Sequence, residues 1–142
     1  MLQPVVIDGI RTPIGKLNGA MKDIQPEEIA AFLLQKICER SHLDIRLLDA
    51  VILGQAKQSS DQPNIARLAA LMTKFPLEVQ AYTVHRQCGS GMQAVQNAAQ
   101  EIMCGYADFV LAGGVESMSN AQYYLREARR GYAVGNGILL DP

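Results

Sequence analysis

The chain has 142 residues, 49% hydrophobic and 19% charged, the composition of one soluble globular domain long enough to bury a core. Thirteen Lys and Arg against fourteen Asp and Glu leave a formal net charge of -1, which excludes a field strong enough to recruit nucleic acid or an anionic membrane surface. Cys38, Cys88 and Cys104 are odd in number and widely spaced, so they make neither a disulfide framework nor a Cys-x-x-Cys metal half-site, and free thiols, a reducing compartment and no metal are expected.

Met1 to Pro4 lacks a basic segment followed by an apolar run, and no stretch approaches the roughly 20 apolar residues that span a bilayer. A cytoplasmic location is expected. The first apolar run, Val5-Val6-Ile7, predicts a strand that halts at Arg11-Thr12-Pro13, where proline removes a ladder donor. Pro26 stands where a first helical turn begins, followed by Glu27 and Glu28 at its positive end. Ile29, Leu33 and Ile37, flanked by Ala30 and Leu34, give that helix its apolar face.

Val51-Ile52-Leu53 before Gly54 predicts a second strand, and Asn64 to Met72 a helix with Ile65, Leu68, Ala69 and Met72 on one side. Ala81 to Val84 is a third strand, Cys88 to Cys104 a long helix closed by Gly105, and Phe109 to Ala112 a fourth strand ending in Gly113-Gly114. The alternation predicts an α/β fold in βαβαβαβ order, a mixed sheet with helices packed on it. From Glu116 onward the pattern dissolves into serines, tyrosines and the basic residues Arg126, Arg129 and Arg130. The core is therefore assigned to residues 1–115 and an excursion from it to residues 116–142.

The densest chemical signal is His85-Arg86-Gln87-Cys88-Gly89-Ser90-Gly91, a strand end running into a helix. Unpaired amides and the dipole at a helix N-terminus favour thiolate over thiol, and they can bind a developing oxyanion. Gly89 and Gly91 would leave room for a substrate carbonyl. A nucleophile beside an oxyanion site suits acyl transfer. The plainer alternative is a small buried hydrophobe, which is how most free cysteines behave. Cys38 and Cys104, inside or at the end of helices, read as core cysteines of that kind. The helix from Cys88 has Glu101 as its only charge, with Gln93, Gln96, Asn97 and Gln100 on its polar side. Such a helix is expected to be covered on both sides by other protein.

Four blocks together resemble the thiolase family, the enzymes that make or cleave 3-oxoacyl-CoA. They are Arg11 to Lys16, Val51 to Gly54, Cys88-Gly89-Ser90-Gly91, and Ala112 to Ser119. They stand in the family's order and spacing across nearly the whole chain. The resemblance implies that Cys88 takes an acyl group from an acyl-CoA while its backbone amide helps hold the thioester oxygen. It implies coenzyme A as substrate and product, no tightly bound cofactor, and a homo-oligomer. It also implies a second half of similar fold, supplying an activating histidine and a second cysteine, that this chain lacks. The chain resembles an N-terminal half ending inside the region where the family inserts its CoA-binding loop domain.

Two positions depart from the family. His85 stands where asparagine, or sometimes serine or threonine, is usual, and is read as a structural or hydrogen-bonding substitute rather than a catalytic base. Gln122 stands where proline commonly follows the serine-asparagine-alanine turn, which bears on loop geometry. Gly9 to Lys16 fails the phosphate-loop spacing. His42 reads as a solvated turn residue, Glu27-Glu28 as a helix-start feature, and the three arginines as a solvated face ahead of a contact to CoA phosphates. The rival readings are a decarboxylating condensing enzyme, disfavoured by the Arg11 and Gly113 blocks, and a non-catalytic interaction module.

Overall fold

The computed structural model describes residues 2–141. Its centre is a three-stranded sheet of β1 (Ala50–Gly54), β2 (Gln80–Val84) and β3 (Val110–Gly114), in the order β2-β1-β3. Both pairings are parallel, with Ile52 opposite Tyr82 and Ala112, where a mixed sheet was expected. The middle strand is buried along its whole length. Its side chains alternate: Val51 and Leu53 join the cluster built from α1 (Pro26–Ser41) and α2 (Ile65–Leu71), and Ile52 joins Ala94 and Ala98 of α3 (Ser90–Cys104). That is the three-layer arrangement a parallel sheet needs to cover both faces.

Local chemistry explains the element ends. Pro26 opens α1, and Glu28 reaches back to the Gln25 N–H at 2.8 Å in a capping box. His42 ends α1 in the left-handed region, as a turn residue. Asn64 caps α2 by accepting the Arg67 N–H, and its side-chain amide donates to Ala81 C=O of β2. Gly105 closes α3 at φ 75°, a conformation a Cβ would oppose. At the N-terminal end of the sheet, the Asp49 carboxylate accepts the N–H groups of Asp108 and Phe109, which aligns the start of β3 with that of β1.

Three of the four expected strands are present. The fourth, Val5 to Ile7, is not: the segment is irregular and exposed, Val6 at 86%. A strand needs a neighbour to bond, and among the described residues none pairs with it. The order observed is therefore helix first, αβαβαβ. Between this segment and the free edge of β3 lies a groove of about 1090 Å³, with Val5, Ile7, Leu33, Ile37, Val110 and Ala112 among its lining. The expected face of α1 serves both: Ala30 and Leu34 are buried in the core, Ile37 packs half-buried against it, and all three line the groove together with Leu33. Among the described residues no helix is long and apolar enough to cross a membrane.

Candidate active site

In a parallel sheet the loops following the strands gather at one edge, the usual place for ligands in α/β folds. Here those loops are 55–63 after β1, 85–89 after β2 and 115–122 after β3. The carboxylate of Glu116 binds the first to the third by accepting the Ala56 N–H at 2.8 Å and the Lys57 N–H at 3.2 Å. Gln122 adds to the same seam: its carbonyl accepts the Ser60 N–H and hydroxyl, and its amide donates to Asp61 at 2.6 Å. The departure at Gln122 therefore gives a side chain that fastens two loops, which proline could not do. Asn120 extends the seam by donating to Lys22 and Ile24 C=O.

Cys88 lies in the loop after β2 and is exposed. It immediately precedes Gly89, the residue that caps α3, so the helix begins two positions later than the sequence suggests. No side chain caps this helix start, so the amides of its first turn beyond Ser90 have no side-chain partner from the cap. The turn is closed by Gly89 N–H to Arg86 C=O at 3.0 Å and Ser90 N–H to Gln87 C=O at 3.1 Å, with the Cys88 amide outside that pair. Gln87 has φ 50°, in the left-handed region where a residue bearing Cβ is strained. His85 is exposed beside this turn.

Glycines bring the turn down onto the sheet. A Cβ on Gly54 would stand 2.2 Å from the Ser90 carbonyl carbon, and one on Gly114 would stand 3.2 Å from the Gly91 Cα. At Gly91 an added Cβ would meet only Gly113 and Gly114 backbone, at 3.9 Å. Gly91 thus faces β3, with room there for a methyl group.

The polar row on α3 also finds partners. Arg86 donates to Gln93, Gln93 to Asn97, and the Tyr82 hydroxyl to Glu101 at 2.7 Å. Burial, and then the bond to Glu101, raise the Tyr82 phenol above its ordinary value. Gln93, Asn97 and Glu101 thus find partners within the chain, in a ladder along the β2 edge, while Gln96 and Gln100 are exposed. Its apolar side stays open, with Met92 67% and Val95 42% exposed.

Of the other cysteines, Cys38 is buried as expected, and burial with the nearby charge of Glu39 pushes its thiol up. Cys104 is exposed, contrary to the core role expected of it. Glu27 is buried against Gln62, which donates to it, so it is more than a solvated helix-start charge. Arg126, Arg129 and Arg130 are exposed, as a solvated face should be. Among the described residues no His, Cys, Asp and Glu cluster could hold a metal ion. The groove is separate from the thiol, for Cys88 is not among its lining residues.

Residues 4–141 match the family model described as "Thiolase, N-terminal domain". The chain is 40% identical over 141 residues to a "Probable acetyl-CoA acyltransferase" of Staphylococcus epidermidis, covering 99% of this chain and 36% of that protein. It is 40% identical over 135 residues to the "3-oxoadipyl-CoA/3-oxo-5,6-dehydrosuberyl-CoA thiolase" of Escherichia coli K12, covering 94% and 34% respectively. Among solved structures, the Bacillus anthracis acetyl-CoA acetyltransferase superposes with a TM-score of 0.88 at 43% identity, over 92% of this chain and 33% of that one. The chain spans about a third of the length of these relatives.

Proposed function

Because the chain belongs to the thiolase family, matching its N-terminal domain, we propose that it is the nucleophile-bearing part of an acyltransferase that forms or cleaves acetoacetyl-CoA or another 3-oxoacyl-CoA. The observation that carries this reading is an exposed cysteine directly before an uncapped helix, at the edge of the sheet where the strand-exit loops meet. The Cys88 sulfur attacks the thioester carbonyl of an acyl-CoA, the oxygen gains charge beside the Cys88 amide and the first turn of α3, and coenzyme A leaves as its thiol. The acyl group then rests on Cys88 as a thioester. Carbon attack by a second acetyl-CoA completes synthesis and frees the Cys88 sulfur. In cleavage Cys88 attacks the 3-oxo carbonyl of a 3-oxoacyl-CoA instead, the C2–C3 bond breaks, acetyl-CoA leaves after its C2 takes up a proton, and coenzyme A then takes the acyl group from Cys88 as a new thioester.

Coenzyme A enters as substrate and product, without a tightly bound cofactor. Residues 1–115 are the core in this reading, and residues 116–142 begin a CoA-binding excursion. The activating histidine and second cysteine come from a C-terminal half, with which the chain pairs or within whose homo-oligomer it sits. A cytoplasmic setting suits three free thiols. The test is rapid mixing of the complete enzyme, this chain together with such a half, with labelled acetyl-CoA, followed by peptide mapping. Label is expected on Cys88, and label on Cys38 or Cys104 with Cys88 unmodified overturns the assignment. The 142-residue chain alone is expected to show no turnover of acetoacetyl-CoA and CoA, since members of a catalytic unit are strongly non-additive. Turnover comparable to that of the complete enzyme would mean that a C-terminal half is not required.

A further inference from the structure

One buried hydroxyl holds the turn that carries Cys88. Ser90 is 4% exposed. Its Oγ accepts the Arg86 N–H at 2.8 Å and donates to Gln87 C=O at 2.6 Å. These bonds hold the peptide group before Arg86 and the one after Gln87, so they span the residue at φ 50°. A left-handed residue with a Cβ persists only where its surroundings over-determine it. Without the hydroxyl, the Arg86 N–H loses its partner and the Gln87 carbonyl keeps one donor of two. Gln87 is then free to relax to negative φ, and that rotation turns the peptide leading into Cys88. The grip has a firm base, because Ser90 rests on Gly54 too closely for even a methyl group between them.

The direction of the hydroxyl separates this from helix capping. Ser90 is the first residue of α3, and its Oγ reaches back to residues before the helix, not forward to helix amides. Removing it should disturb the loop and spare the helix.

We propose that Ser90 is a positioning residue, whose hydroxyl locks the Arg86–Gln87 turn so that the Cys88 thiol is held at the open start of α3. Its hydrogen bonds go to Arg86 and Gln87 backbone and not to the thiol. The inference rests on the reading of Cys88 as nucleophile, yet its consequence can be measured without any acyl-CoA.

The three cysteines make the experiment self-calibrating. The 142-residue chain is treated with iodoacetamide and alkylation is followed at each cysteine by peptide mapping. Buried Cys38 reports unfolding, and exposed Cys104, at the far end of α3, gives the reagent's reference rate. In the wild type Cys88 is expected to react faster than Cys104. In Ser90→Ala and Ser90→Val that ratio should fall about tenfold, the bias that a hydrogen bond or two can supply. Ser90→Thr, which keeps the hydroxyl in the shape of valine, should restore it to within about twofold. Cys38 should stay protected throughout.

Three results overturn the inference: a ratio unchanged in the alanine and valine variants, a wild-type Cys88 no faster than Cys104, or Cys38 exposed in all three variants, which would make Ser90 a folding determinant. If Cys88 takes no label from acetyl-CoA in the complete enzyme while its alkylation still depends on Ser90, the acyltransferase reading fails and the positioning role stands.

Discussion

Gly54→Ala tests whether the nucleophile turn is seated by the sheet. The added Cβ would lie 2.2 Å from the Ser90 carbonyl carbon, 2.4 Å from the Gly91 nitrogen and 2.5 Å from the Ser90 oxygen. All three are backbone atoms in the first turn of α3, so no rotamer change relieves them. Reaching ordinary contact at 3.4 Å requires this helix start to retreat by about 1.2 Å. Overpacking by a methyl costs about 1–3 kcal/mol, and rigid backbone on every contact puts this case near 3 kcal/mol. Out of a net stability of about 5–15 kcal/mol, that is a fall in Tm of roughly 10 °C. In the complete enzyme the same retreat carries Cys88 with it, and a misplacement of about 1 Å can lower acyl transfer about 100-fold.

Thermal unfolding of the chain followed by far-UV circular dichroism is the assay, with two neighbouring glycines as controls. At Gly113 a Cβ would meet only a Leu53 methyl at 3.9 Å, so Gly113→Ala should stay within about 1 kcal/mol of wild type. Gly91→Ala adds a better helix former where the nearest atoms are 3.9 Å away, and should match wild type or exceed it by up to about 1 kcal/mol. A Gly54→Ala variant melting within about 2 °C of wild type would refute the packing argument.

The remaining predictions concern the core, the loop seam and the open apolar surface. Because burial raises the Cys38 thiol above its ordinary 9.0, the folded chain keeps that proton when the unfolded chain has lost it. Stability from this group is complete below about pH 9 and is lost as pH rises through the folded value. The urea midpoint should therefore fall more steeply between about pH 8 and about pH 10 in the wild type than in Cys38→Ala, and equal slopes would contradict this. Gln122→Ala should speed hydrogen exchange at the Ser60 amide, whose side-chain partner it removes, while Tm moves by no more than about 3 °C. With Met92, Val95 and the groove exposed, light scattering across a concentration series should show the chain alone dimerising or aggregating. A soluble monomer at high concentration, binding no apolar dye, would argue against that.

Signals confined to a few neighbouring residues were legible in the sequence: Pro26 at the start of α1, Gly105 at the end of α3, and the apolar run that became β1. Val5 to Ile7 carries a strand pattern as good as that of β1, yet pairing depends on a neighbour, and periodicity holds no record of one. The buried line of α3 runs through Ala94 and Ala98 toward Ile102. Cys104 lies about 200° around the helix from Ile102, so helical phase already argued for its exposure. On α3 the sequence showed few charges but not the partners of Gln93, Asn97 and Glu101, which are Arg86 and Tyr82 of this chain, while Gln96 and Gln100 stay exposed.

What could not be read locally is the coupling between distant blocks, and that coupling builds the candidate site. Gly54 at the end of β1 makes room for Ser90 and Gly91, and Gly114 at the end of β3 stands against both the Gly54 oxygen and the Gly91 Cα. Glu116, two residues on, fastens the loop that follows Gly54. Three of the four blocks that carry the family resemblance therefore meet at one junction, within contact of one another and beneath Cys88. Their glycines follow from that meeting. Gly54 and Gly114 sit where a strand end and its neighbours approach more closely than a side chain allows, so a substitution at either is felt at the other blocks. Arg11 to Lys16, the fourth block, lines the apolar groove together with Leu53, Gly114 and Glu116, so it meets the junction across that groove, on the side away from Cys88.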